Sequence, residues 1–171
     1  MKSKLALVLF LAWSTTYSIA QAPNSNHKLT EDFINFFVGS WTGDGEFSNG
    51  KKISADLTFK MSLDSSWISY EHKDKLPNRY KALSMWGVDM LNGQFVAYTF
   101  DNFQGYRKFA SDGWKDGKLI LTTNEYYPQR GLMFQHFIYE KLSDKCFKMT
   151  YETSKDGIAW KLGDYLVFNK I

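Results

Sequence analysis

The sequence predicts an all-β protein, a closed antiparallel up-and-down β-barrel of about ten strands with a short N-terminal helix at its floor. Three observations carry that prediction. Past Trp41 no window has a convincing helical period. Short strand-like runs are instead separated by the hairpin signals Asn49-Gly50, Asn92-Gly93, Asp112-Gly113, Asp116-Gly117 and Asp156-Gly157. A meander of this many strands, left open, would strain and expose two sheet edges, and closure removes both. A two-sheet sandwich is the alternative architecture.

The first twenty residues stand apart from that domain. Lys2 and Lys4 form a basic start, Leu5 to Trp13 is apolar, and Ser18-Ile19-Ala20 supplies small residues at a cleavage site. This pattern predicts a signal peptide over 1–20, cleaved before Gln21, and export to the periplasm or the extracellular medium. The apolar run is too short to span a bilayer comfortably, so no membrane span is expected in the mature chain. An uncleaved anchor is the alternative. The polar segment Gln21 to Lys28 reads as a flexible leader, and 29–171 as the barrel domain.

Thr30 is placed as an N-cap, with Glu31 and Asp32 in the first turn and Leu29 where a staple would reach Ile34. Phe33, Ile34, Phe36 and Phe37 give the helix an apolar side, and Gly39 stops it. The first strand then starts in "FVGSWTGDGEF". There Gly43 and Gly45 let the backbone approach its neighbours, and Trp41 is positioned to plug the barrel floor against the helix. Further along, Leu57, Phe59, Met61 and Leu63 keep a period of two against Thr58, Lys60 and Ser62. The remaining runs, from "SWISYEHK" to "IAWKLGDYLVFNK", are joined by connections of a few residues.

Composition narrows the function. The 21 basic residues lose Lys2 and Lys4 on cleavage, leaving 19 against 18 acidic ones and a mature net charge of +1. No basic stripe remains to follow a phosphate backbone, so nucleic acid is not an expected partner. The single cysteine, Cys146, cannot form an internal disulfide, so the core must hold the fold. That core has ample aromatic material in 14 Phe, 10 Tyr and 6 Trp. There is no histidine pair at metal-ligand spacing, no phosphate-cradling glycine loop and no Gly-x-Ser-x-Gly elbow.

Gly39-Ser40-Trp41 resembles the Gly-x-Trp signature of the calycin superfamily, which includes lipocalins and fatty-acid-binding proteins. With the preceding helix it is similar to an uncharacterised bacterial lipocalin-like family and, more distantly, to nitrobindin-type barrels. Gly87-Val88-Asp89, the strand ending at Asp101 and the hairpin in "ASDGWKDGKLIL" extend the resemblance over Phe33 to Glu125. It implies a barrel with a ligand cavity, and the nitrobindin-like branch implies haem held by a strand histidine.

A barrel of this size encloses a cavity suited to a small hydrophobic or amphipathic ligand, held without being transformed. Tyr80, Trp86, Tyr98 and Tyr106 are the candidate liners. Arg107 or His136 is the candidate polar anchor, with Arg107 suited to a ligand carboxylate if it points inward. Among the histidines, His27 lies in the leader, and His72 reads as a surface residue before a charged turn. His136 shares a strand face with Phe134 and Ile138, and would be the axial ligand if haem binds. No cofactor is expected otherwise. A filled barrel with a structural or partner-binding role is the remaining alternative.

Overall fold

The computed structural model describes residues 28–171. The expected signal peptide, His27 and all of the leader but Lys28 lie outside the described residues. A helix, α1 (Glu31–Phe37), precedes ten strands: β1 (Gly39–Phe47), β2 (Lys52–Ser62), β3 (Trp67–Asp74), β4 (Lys81–Val88) and β5 (Phe95–Asp101). The second half contains β6 (Tyr106–Ser111), β7 (Lys118–Tyr127), β8 (Gly131–Ser143), β9 (Cys146–Ser154) and β10 (Lys161–Lys170). Each strand pairs antiparallel with its sequence neighbours. β10 returns to β1, from Trp41 opposite Lys170 to Phe47 opposite Asp164, and closes the barrel. The predicted fold class is therefore the observed one, and the sandwich is excluded.

The helix forms where its caps place it. Thr30 accepts a hydrogen bond from the Phe33 N–H at 3.4 Å, while Glu31 and Asp32 sit at the positive end of the helix dipole. At the other end, Lys170 Nζ donates to the carbonyls of Asn35 (3.1 Å) and Phe36 (2.8 Å), which the helix itself leaves unpaired. The last strand thus ties the helix down. Phe33, Phe36 and Phe37 are buried in the barrel floor with Trp41, Phe59, Trp86 and Phe147. The Trp41 indole donates to the Phe37 carbonyl at 2.8 Å and meets Phe147 edge-on at 4.7 Å, so its one polar group is satisfied within the floor. Trp114, from the β6–β7 connection, covers the helix by packing on Phe36 and Phe37.

The glycines of β1 answer to close approach. A Cβ on Gly45 would stand 1.7 Å from the Tyr165 carbonyl oxygen, and one on Gly43 would stand 2.4 Å from the Phe168 ring. β10 can lie against β1 only because those side chains are missing.

With α1 closing one end, the connections 48–51, 75–80, 102–105, 128–130 and 155–160 all fall at the other. One seam is thin. β6 and β7 pair only through Ala110 and Thr122, whereas β7 and β8 pair continuously from Lys118–Glu140 to Tyr127–Gly131.

Candidate functional site

Above the aromatic floor the barrel encloses a cavity of about 450 Å³. The filled-barrel alternative does not describe this interior. The cavity has two chemically different halves. Its lower walls are apolar, made by Trp86, Phe109, Leu121, Tyr139, Met149 and Leu166. Trp86 is the largest of these, with Tyr70 and Tyr139 each 5.1 Å away, and its indole donates to Ser84 Oγ at 3.0 Å. Ala97 stands opposite Trp86 on β5, where a larger residue would compete for the same volume.

Toward the open end two polar networks face the cavity. The first runs along the inward side of β3. His72 Nε2 lies 2.8 Å from Asp74 Oδ1, and His72 Nδ1 lies 3.1 Å from the Tyr70 hydroxyl. With Nε2–H donating to the carboxylate, Nδ1 is left to accept from Tyr70, so both ring nitrogens are engaged. Residues two apart on a strand share a face, which puts all three side chains on one wall.

Arg107 centres the second network. Its Nη2 donates to Asp101 Oδ2 at 2.9 Å and to the Tyr80 hydroxyl at 3.2 Å, and its Nη1 donates to Gln135 Oε1 at 3.0 Å. Gln135 also accepts from Tyr151 (3.1 Å) and donates to Tyr127 (2.9 Å). The Arg107 and Asp101 side chains are only 13% and 8% exposed, so their pairing satisfies charges that would otherwise be stranded. Asp101 also accepts from the Phe103 and Gly105 N–H groups, which fixes the β5–β6 turn against the pair.

Asp164 completes the polar end from β10. Among the described residues its carboxyl accepts no side-chain hydrogen bond. Burial, reinforced by the charge of Asp74, pushes it up to about 6. Burial also raises Tyr70 and Tyr80 and pushes Tyr151 up to about 12, so these phenols remain neutral hydroxyls at physiological pH.

Of the residues expected to line the cavity, Tyr80, Trp86 and Arg107 do so. Tyr98 and Tyr106 do not. Tyr98 packs on Trp67 under Lys108, and Tyr106 is 76% exposed, stacked on Phe100 across the outer face. The inward phase of β5 and β6 belongs to Ala97, Thr99, Asp101, Arg107 and Phe109 instead. His136 also corrects an expectation. It does share a face with Phe134 and Ile138, but that face is the outer one, because Gln135, Phe137 and Tyr139 point inward. Its ring stacks on Trp160 at 3.4 Å, and burial there lowers its pKa.

The residues do not fit haem. His136 points away from the cavity, and His72, which faces it, already has a partner at each nitrogen. His72, expected on the surface, is buried and faces the cavity. The signal that reveals it is the alternation Tyr70-x-His72-x-Asp74, three polar side chains at period two, hidden among the exposed Glu71 and Lys73. Floor residues Gly39 and Trp41 stand where the sequence put them.

No family model matches the chain, and no curated protein matches it. Among solved structures, it is similar to a de novo designed fluorescence-activating β-barrel at 8% identity and a TM-score of 0.44, covering 83% of this chain and 100% of that one. A redesigned β-barrel is similar at 12% identity and a TM-score of 0.36, covering 80% and 92%. The fold assignment rests on the strand pairing itself.

Proposed function

We propose that this protein is an exported lipocalin-like barrel that binds a small amphipathic molecule in its cavity and releases it unchanged. The observation that carries the reading is the cavity: about 450 Å³ of space within a closed barrel, apolar below and with polar side chains set among Phe47, Ile53 and Phe103 at the open end. Small-molecule sites fall at roughly 300–1,000 Å³, with mostly apolar walls and a few fixed polar groups. The basic, apolar and small-residue segments of Met1 to Ala20 support export. Gly39-Ser40-Trp41, now the floor of a closed barrel, supports kinship with calycins. Binding without chemistry is supported by the engagement of His72, the histidine that faces the cavity, at both ring nitrogens. His72 has no free nitrogen to act as a base, and Tyr70, the hydroxyl beside it, is raised too far to ionise.

The test is a neutral fluorescent probe, N-phenyl-1-naphthylamine, titrated into the wild type and into Ala82→Trp, which places an indole at a lining position. Saturable enhancement in the wild type, reduced at least about tenfold in affinity in a folded Ala82→Trp variant, is expected. Equal binding by both proteins, or none by the wild type, would remove the cavity from the account.

A further inference from the structure

The cavity's charges discriminate between ligand heads. Arg107 is the obvious anchor for a carboxylate, but its charge is already matched by Asp101, and Tyr80 and Gln135 occupy further N–H groups. Arg79, the other lining arginine, is exposed at the rim. Two further carboxylates face the same space. Asp74 has a side chain only 3% exposed. Its Oδ1 is bonded to His72, while among the described residues no side-chain donor reaches its Oδ2. Asp164, likewise lining the cavity, accepts no side-chain hydrogen bond among the described residues and feels the charge of Asp74. Asp74, Asp101 and Asp164 thus stand against one buried arginine, with His72 the remaining titratable base at this end. An incoming carboxylate would add a further negative charge in a poorly solvated space.

We propose that the cavity is selective for an organic cation, an amine with an apolar body, whose ammonium group sits between Asp74 and Asp164 and whose body lies against Trp86, Phe109 and Leu121. Such a head brings the N–H donors that Asp74 Oδ2 and Asp164 lack, and it offsets their mutual repulsion. The inference rests on the cavity being a binding site, and it names what that site selects. Asp164 titrates near 6, so uptake of the cation holds it ionised, and affinity falls as the pH drops through that region.

Three probes of equal chain length separate the claims: decylamine, decan-1-ol and decanoate, titrated calorimetrically at about pH 8, where the ammonium and the carboxylates are charged. Decylamine is expected to bind at least about tenfold more tightly than decanol, and decanoate more weakly than either. Asp164→Asn and Asp74→Asn are each expected to erase the preference for the amine over decanol, with circular dichroism and thermal unfolding serving as the control for a folded barrel. Decanoate binding as tightly as decylamine, or an amine preference that survives both substitutions, would overturn the cation assignment while leaving the binding site standing. Failure of all three probes would overturn both.

Discussion

Asp164 is where the barrel's interior chemistry is concentrated in one side chain. A carboxyl raised to about 6 by burial is protonated more readily in the folded chain than in the unfolded one. The folded state therefore binds the extra proton between the ordinary carboxyl range and about pH 6, and stability falls as the pH rises through that window. Above it the ionised, unpartnered group is a constant cost. Asp164→Asn removes that cost. Thermal unfolding is expected to show the variant more stable than wild type at neutral pH, by about 1–3 kcal/mol, with the gain vanishing below about pH 4. A gain independent of pH would show that the carboxyl is not ionised in a desolvated site. The saturated residues present the opposite case. Arg107 is held at both Nη atoms and His72 at both ring nitrogens, which makes them parts of the wall before they are contacts for a ligand.

Among the elements, β6 and β7 are the weak join. One paired position, Ala110 with Thr122, leaves most of the facing backbone groups of these strands outside a ladder. Amide hydrogen exchange is expected to be faster for the β6 and β7 groups that face this seam than for the β8–β9 ladder, by about tenfold or more. Uniform protection around the barrel would contradict that. The elements were also the most legible part of the sequence. Hairpin dipeptides and strand runs placed ten strands, and Thr30, Glu31 and Asp32 placed the helix start. The phase of the strands was harder to read. Hydrophobicity marks the interior only when one face is apolar, and β5 and β6 have aromatics outside, where Phe100 stacks on Tyr106. Their inner face mixes Phe95 and Phe109 with Ala97, Thr99 and the charged Arg107–Asp101 pair, so neither face reads as the apolar one. A shift of one residue in that reading put Tyr98 and Tyr106 in the place of Thr99 and Phe109, while Arg107 was found. The β2–β3 turn was also silent, since Leu63, Asp64 and Ser65 all adopt positive φ without a glycine among them.

At the scale of the whole molecule, the barrel is closed at one end and polar at the other. The helix, Trp41 and Trp114 seal the floor, so the apolar half of the cavity is farthest from solvent and the carboxylates lie nearer the open end. That polarity would orient a guest, apolar body down and charged head up. The measurement that tests this account most directly is a crystal structure of the protein grown with decylamine. The account predicts the alkyl chain inside the barrel against Trp86, with its nitrogen at about 2.7–3.2 Å from oxygens of Asp74 and Asp164. An amine found only on the outer face, against Phe100 and Tyr106 with the interior vacant, would contradict it.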